Sequence, residues 1–179
     1  MKPIQIPFRT LATSRLEANI ETEILSTEAI EIIKKCKKRA QAILQSSMDI
    51  EEWIKDIIAQ LLFDKDCTNS EFIKGLFLDS DFCMFNSKIK ILNITLKHFN
   101  LLTGKKRSFI ENLLPKVNKL RNQFAHGKIY LKDLSPYISY FQGELKVVKM
   151  DDEYWENIEN ILNEAHELMD LIQTNIPKN

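Results

Sequence analysis

Apolar side chains recur every three or four positions along most of the chain, and this spacing is the period of an amphipathic helix. The pattern predicts five helices, which cover residues 27–45, 50–63, 88–100, 107–126 and 152–174. Side chains that commonly cap helix N-termini precede four of these ranges, namely Ser26, Asp49, Ser87 and Asp151. We expect the first two helices to pack against each other as separate elements.

Two signals are expected to interrupt or end the fourth helix. Proline lacks an amide donor, so Pro115 predicts a kink or a fresh helix start. Gly127 follows the last helical residue and is typical of the left-handed position that closes a helix. The segment between these two residues is therefore expected to be helical rather than a loop.

Near the C-terminus, two short segments are rich in β-branched and aromatic residues and lack the helical period. Residues 137–141 and 144–148 flank Gln142-Gly143, a turn pair, and predict a short β-hairpin. We therefore expect an all-α fold, an antiparallel helical bundle of about five helices with a small β-hairpin before the C-terminal helix. Residues 1–25 are expected to form an N-terminal segment, and residues 26–179 a single helical domain.

The composition is that of one globular domain. With 179 residues, of which 44% are hydrophobic and 28% charged, the chain can close a core without metal or disulfide help. Its three cysteines, Cys36, Cys67 and Cys83, match neither a disulfide framework nor a CxxC metal half-site, which indicates a reducing compartment. No apolar stretch approaches the roughly 18 residues that span a bilayer, and no signal peptide is recognisable. We therefore expect a soluble, cytoplasmic protein.

Charge is balanced over the whole chain but concentrated locally. Lysine plus arginine and aspartate plus glutamate both number 25, so net charge alone does not attract nucleic acid. Residues 105–132, however, contain eight basic residues and a single acid, and eight acids in residues 151–170 restore the balance. A second basic run, at residues 34–39, is interpreted as a solvated helix face, with a stripe that binds RNA as the alternative held in reserve. Six residues of the first basic stretch are predicted to contact RNA: Lys105, Lys106, Arg107, Lys116, Lys119 and Lys128.

The same basic stretch contains the residue types that suit attack on a phosphodiester, in the segment Leu120-Arg121-Asn122-Gln123-Phe124-Ala125-His126-Gly127. The guanidinium of Arg121 can stabilise phosphate charge, and the imidazole of His126 can take or give a proton near neutral pH. Asn122 precedes His126 by one helical turn and can orient the imidazole or hold a phosphate oxygen. Arg121 lies about 140° around an ideal helix from His126, so one chain does not bring the two together.

A structural interpretation of this segment stays open beside the chemical one. Cationic residues near a helix C-terminus interact favourably with the helix dipole, and a histidine there can bond the last carbonyls. The other two histidines, His98 and His166, are interpreted as core or surface residues, because neither has suitable neighbours for a helical metal site. No metal or cofactor is predicted.

The segment Arg121-Asn122-Gln123-Phe124-Ala125-His126, placed near the end of a bundle helix, resembles the Arg-(4 to 6 residues)-His signature of the HEPN superfamily (higher eukaryotes and prokaryotes nucleotide-binding domains). Residues 85–92 also look like the loop and helix start that precede the motif in that family. The resemblance implies a homodimer in which two motif helices share a cleft. It also implies a metal-independent endoribonuclease of toxin–antitoxin or other defence systems, with Arg121 and His126 catalytic and Asn122 supporting them.

Some members of the same superfamily have lost catalysis. They serve as antitoxin-like, regulatory or partner-binding modules, and the resemblance leaves this alternative open. The expected partners are therefore RNA, a second copy of the chain and a cognate antitoxin or other regulatory protein. Because this sequence keeps the arginine, the asparagine and the histidine, the ribonuclease is the favoured hypothesis.

Overall fold

A computed structural model describes residues 4–6, 26–62, 72, 74–80 and 83–176, and most of these residues are helical. The helices are α1 (Thr27–Leu62), a π-helical segment (Lys74–Leu78), α2 (Phe85–His98), α3 (Gly104–His126) and α4 (Asp152–Asn175). The strands are β1 (Ile4–Ile6), β2 (Lys128–Lys132), β3 (Ser135–Gln142) and β4 (Glu144–Lys149). The mainly helical fold and the hairpin before the last helix were both predicted. The rest of the expected N-terminal segment and Cys67 lie outside the described residues.

The first two predicted helices are one continuous element of 36 residues, α1. Asp49 does not cap a second helix, because it lies inside α1 and accepts a hydrogen bond of 2.8 Å from the Gln45 side chain one turn earlier. The helix continues because its buried face is not interrupted. Ser47 is fully buried at the position where the period requires a core residue, between Ile43 and Ile50. The expectation of two separate helices packed together was therefore wrong.

Two of the four predicted N-caps are hydrogen-bonded as expected. The Ser26 hydroxyl accepts from the Ala29 amide at 3.2 Å, and the Asp151 carboxylate accepts from the Tyr154 amide at 3.1 Å. Ser87 is not a cap, because α2 begins at Phe85 and Met84 precedes it without a side-chain cap. Phe85 is 2% exposed. Burial of this ring makes the helix begin two residues before Ser87, the predicted cap.

The helix α3 continues through Pro115 without ending or restarting, which excludes the fresh helix start, whereas the expected kink stays a prediction. Pro115 is exposed, so its ring lies on the solvent side, and its missing amide removes one hydrogen bond within the helix. The helix ends at His126, and the Gly127 amide donates to the Gln123 carbonyl at 2.8 Å. Gly127 was correctly predicted to follow the helix, but its backbone is not left-handed.

Close neighbours of the Cα atom, and not the backbone conformation, are the reason why position 127 is a glycine. A Cβ atom at this position would lie 2.3 Å from the Gln123 carbonyl oxygen and 2.9 Å from the Ile138 Cδ1 atom. The first neighbour is backbone, so it cannot rotate away. The end of α3 therefore lies directly against β3 in a way that no larger residue permits.

The four strands form one antiparallel sheet in the order β1-β2-β3-β4. The sequence analysis missed β1 and β2. The alternation of buried Ile129 and Leu131 with exposed Lys128 and Lys132 is the signal for β2, but this run follows a helix directly, with no turn residues between them other than Gly127. At the β3–β4 turn, Gly143 has a φ of 73°, as the turn pair predicted.

Two compact units are recognised from the contacts between Cα atoms. Among the described residues, the first unit comprises β1, the part of α1 up to Leu44, and Leu120–Ile158. The second comprises Gln45–Lys119 and the part of α4 from Glu159. The first unit thus contains the sheet and the last turns of α3, with a core that includes Phe124, Ile138 and Trp155.

Ion pairs with buried lysines connect the elements of the second unit. Lys88 of α2 pairs with Glu51 of α1 at 2.6 Å, and both side chains are largely buried. Lys55 pairs with Glu52 and with Asp79, which follows the π-helical segment. The hydrogen bond from Lys55 holds the pKa of Asp79 below its ordinary value, so this carboxylate stays charged in more acidic solution than an ordinary aspartate does. No helix within the described ranges is long and apolar enough to cross a membrane.

We expect Gly127→Ala to lower the free energy of unfolding by about 1–3 kcal/mol, the usual cost of forcing extra volume into a packed position. The added methyl must displace either a helix carbonyl or Ile138. Urea denaturation followed by circular dichroism measures the change. Gly75→Ala is the matched control, because a Cβ at Gly75 has no neighbour within 4 Å. Equal stability of the two variants would contradict the steric role of Gly127.

Candidate functional site

The candidate motif occupies the last two turns of α3. Arg121, Asn122 and His126 all lie within the helix, whose final residue is His126. The prediction that the motif is helical rather than a loop is thereby confirmed. All three residues belong to the first unit, together with the sheet and the beginning of α4.

The three motif side chains do not lie on one side of the helix. Asn122 and His126 are exposed and one turn apart, so they share a solvent-facing stripe. Arg121 is half-buried and lies about 140° around the helix axis from His126. A single copy of α3 therefore presents Asn122 and His126 together and directs Arg121 elsewhere.

Two residues between Asn122 and His126 anchor the motif to the start of α4. The Gln123 amide donates to the Tyr154 hydroxyl at 2.6 Å, and Gln123 is only 6% exposed. Phe124 is fully buried and stacks on Trp155, with ring centroids 6.0 Å apart and planes inclined by 24°. These contacts hold the last turn of α3, and with it the direction in which His126 projects.

Trp155 is itself held from two sides. Its indole nitrogen donates to the Met150 carbonyl at 3.1 Å, and the Arg39 guanidinium lies 5.1 Å from its ring centroid, in the range of a cation–π contact. Arg39 belongs to the basic run that was interpreted as solvated, but it is half-buried. This residue of the run therefore supports the motif through Trp155.

Burial also determines the ionisation of Tyr154. Desolvation, with a smaller contribution from Tyr140, raises the pKa of Tyr154 far above the ordinary value of 10.0. The phenol therefore stays neutral at pH values where an exposed tyrosine ionises, and its oxygen accepts the hydrogen bond from Gln123. The helical period of apolar positions includes Phe124 and Trp155, whereas the sequence analysis gave no role to Gln123 or Tyr154.

The predicted RNA-contacting residues fall into both units. Lys128 lies in the first unit, where it opens β2 two residues after His126 and is exposed. The other five lie in the second unit, where four are exposed and Arg107 is half-buried and donates to Glu111 at 3.0 Å. The structure therefore brings only Lys128 into the unit that contains the motif.

Lys105 and Lys106 do not form a purely cationic surface. They line a groove of about 530 Å³ in the second unit, together with Phe109, Leu168 and Leu171. Glu164 and Glu167 line the same groove. At this point two acids of the last helix face the basic stretch.

The remaining histidines have partners of their own. His166 shares a hydrogen bond of 2.7 Å with the Ser46 hydroxyl and contacts the edge of Trp53, 5.4 Å between centroids. His98 is exposed and lies edge-on to Phe99, 5.0 Å between centroids. Within the described parts of the chain, no three His, Cys, Asp or Glu side chains are grouped so that they could hold a metal ion.

Comparison with known proteins finds no significant match to a protein-family model, to a curated protein or to a solved structure. The resemblance to the HEPN superfamily therefore depends on the motif residues and on their helical context. The geometry around Asn122 and His126 is the basis on which a function can be argued.

We expect Tyr154→Phe to destabilise the protein at neutral pH by about 1–3 kcal/mol, because the buried Gln123 amide loses its acceptor. The variant should also lose less stability than wild type above pH 10. At a pH below the ordinary pKa of tyrosine, Tyr154 is protonated in both the folded and the unfolded protein. At a pH above that value, only the phenol of the unfolded protein ionises, because burial keeps the pKa higher in the folded protein. The stability of wild type therefore falls as the pH rises.

Urea denaturation between pH 7 and 11 measures both effects. The control is the double variant Gln123→Met with Tyr154→Phe, in which both polar partners are removed. Its destabilisation should be smaller than the two single effects added together, since no buried polar group is left without a partner. Additive losses would show that the hydrogen bond does not couple α3 to α4.

Proposed function

We propose that the protein is a metal-independent endoribonuclease of HEPN type that acts as a homodimer, with its helices in an antiparallel bundle. The observation that carries the proposal is the pair Asn122 and His126, exposed one turn apart at the end of α3. The buried contacts of Gln123 and Phe124 support it, because they hold this pair in a fixed direction. Preorganised side chains of this kind are what proton transfer to a bound substrate needs.

The dimer is proposed because one chain separates the residues that must act together. Arg121 and His126 project about 140° apart around one helix. A two-fold axis beside the ends of two α3 helices would bring Arg121 of one subunit to His126 of the other. The composite site would then contain a fixed positive charge, a group that exchanges protons and the Asn122 amide that orients it.

The proposed chemistry uses the RNA's own 2′-hydroxyl. This hydroxyl loses a proton and attacks the adjacent phosphorus, and the 5′-oxygen leaves with a proton. His126 accepts the proton of the 2′-hydroxyl and donates it to the leaving 5′-oxygen. Arg121 stabilises the charge of the pentacoordinate phosphate with its two parallel donors. The products are a 2′,3′-cyclic phosphate and a 5′-hydroxyl, and DNA is resistant because it has no 2′-hydroxyl.

Basic side chains outside the motif are proposed to bind the RNA backbone. Lys128 follows the motif directly in β2, and Lys105, Lys106, Arg107, Lys116 and Lys119 precede it in α3. The biological setting that we propose is a cytoplasmic toxin or defence nuclease that a cognate antitoxin or regulatory protein controls. The alternative is a non-catalytic HEPN-like dimer that binds a partner protein through the same motif helices.

Incubation of purified protein with structured and unstructured RNA in EDTA, followed by analysis of the fragment ends, tests the activity. We expect cleavage to 2′,3′-cyclic phosphate ends in wild type and a rate about 10² to 10⁴ lower for His126→Ala, the usual contribution of a general acid or base. Arg121→Lys should also lose RNA cleavage, because an ammonium cannot replace the planar guanidinium. His98→Ala, at another exposed histidine, is the matched control and should cut normally. If wild type and His126→Ala cut equally, or if neither cuts RNA while the dimer binds a specific protein, the partner-binding alternative replaces the nuclease.

A mixture of two inactive variants tests whether the site is composite. In a heterodimer of Arg121→Ala and His126→Ala subunits, one of the two sites retains both residues and the other retains neither. With random pairing, an equal mixture should therefore recover about a quarter of wild-type activity. Analytical ultracentrifugation of each variant confirms that the dimer persists. A mixture as inactive as its components would place both residues of one site in the same chain.

A further inference from the structure

One face of the sheet in the first unit is not covered by the described residues of the chain. Side chains alternate along each strand, so Ile129, Leu131 and Ile138 share the buried face. The opposite face of β2, β3 and β4 is made of exposed or half-buried residues. We call it the open face, and its members are Lys128, Tyr130, Lys132, Tyr137, Ser139, Phe141, Leu145, Val147 and Lys149.

The end of the open face nearest to the β3–β4 turn is strongly apolar. Phe141 and Leu145 are directly paired across the two strands and are 78% and 70% exposed. Val147 continues this patch at 52% exposure. Apolar side chains this accessible and this contiguous mark a binding surface.

The middle of the open face is a pair of stacked tyrosines. Tyr130 and Tyr137 are direct partners in the β2–β3 register, with ring centroids 5.8 Å apart and planes inclined by only 18°. Both side chains are half-buried and remain accessible to a ligand. A flat ligand can therefore stack or lie edge-on against them.

The charged residues of the open face are all lysines. Lys128, Lys132 and Lys149 are exposed, and the strands contribute no acid to this face. Asp133 lies in the β2–β3 turn, and Glu144 falls on the opposite face of β4, where it faces Lys146 at 3.8 Å. The ligand that this surface selects is therefore anionic.

We propose that the open face binds single-stranded RNA, with bases stacked on Tyr130, Tyr137 and Phe141 and phosphates held by the three lysines. Aromatic platforms within a basic surface bind single strands, because every base has a face that can stack and every phosphate is negative. A protein partner would use the apolar patch but would not need cations without a compensating acid. The ligand chemistry rests on the proposed function, whereas the binding surface rests on the sheet alone.

Continuity with the motif favours this ligand further. Lys128 is two residues after His126, so their Cα atoms are at most about 7 Å apart. The row of the open face formed by Lys128, Ser139 and Val147 is thus the row nearest in the chain to the motif. A strand bound across the open face would pass beside His126, which gives the surface a substrate-positioning role.

Fluorescence anisotropy of a labelled 12-nucleotide uridine oligomer tests the proposal, with His126→Ala as the background so that the RNA is not cut. We expect Phe141→Ser, and Tyr130→Leu with Tyr137→Leu, each to weaken binding about tenfold or more, as lost stacking does. The leucines keep the apolar bulk of the strands and so protect the fold.

Replacing the three lysines with glutamine should reduce the slope of log affinity against log salt by about 2. The matched controls are Phe77→Ser and Lys97→Gln, at exposed residues of the second unit, and they should bind normally.

The outcomes separate this proposal from the nuclease proposal. Loss of binding in the open-face variants with no cleavage by wild type would retain the surface and remove the nuclease. If wild type cleaves RNA and the open-face variants bind and cleave it normally, the nuclease proposal is retained and the open-face proposal is wrong. If no oligomer binds, and Phe141→Ser instead abolishes self-association in sedimentation, the open face is an interface between copies of the chain and the proposal is wrong.

Discussion

The contact between the end of α3 and the beginning of α4 is the constraint on which the candidate site depends. Phe124 is fully buried on Trp155, and Gln123 donates to Tyr154 at 2.6 Å. Burial of the aromatic pair supplies the affinity between the helices, and the hydrogen bond selects one rotation of α3. With that rotation set, Asn122 and His126 can only face solvent. The stripe of Asn122 and His126 is thus held by side chains that take no part in the proposed chemistry.

The same packing explains why the chain changes from helix to sheet without a loop. The Gly127 amide closes α3, and the absence of a side chain lets the helix end within contact distance of Ile138. The strand β2 then begins at once, so Lys128 and the open face follow the motif with no flexible connection. In the proposed function, a junction without a loop reduces the conformational entropy that is lost when an extended ligand binds.

Local signals were reliable where no distant contact opposed them. The helical period identified the long helices, and Ser26 and Asp151 cap α1 and α4 as expected. Asp49 and Ser87 also carry local signals, but the structure does not follow them, and α3 does not restart at Pro115. A fully buried Ser47 keeps α1 continuous, and the buried ring of Phe85 advances the start of α2. Burial of a helix face outweighs a single capping or breaking residue, because it acts on many residues at once.

The sequence alone determined which residues could do chemistry, since the basic stretch, the positions of Arg121, Asn122 and His126, and the helical period around them are all properties of neighbours in the chain. Only the tertiary structure decided what holds them. The partner of Gln123 is 31 residues away, and Trp155 is covered by Arg39, from a basic run that local pattern assigned to solvent. The open face likewise required the register of three strands, one of which the sequence analysis missed. Helix period and capping act within about four residues, whereas these contacts join side chains that only the folded chain brings together.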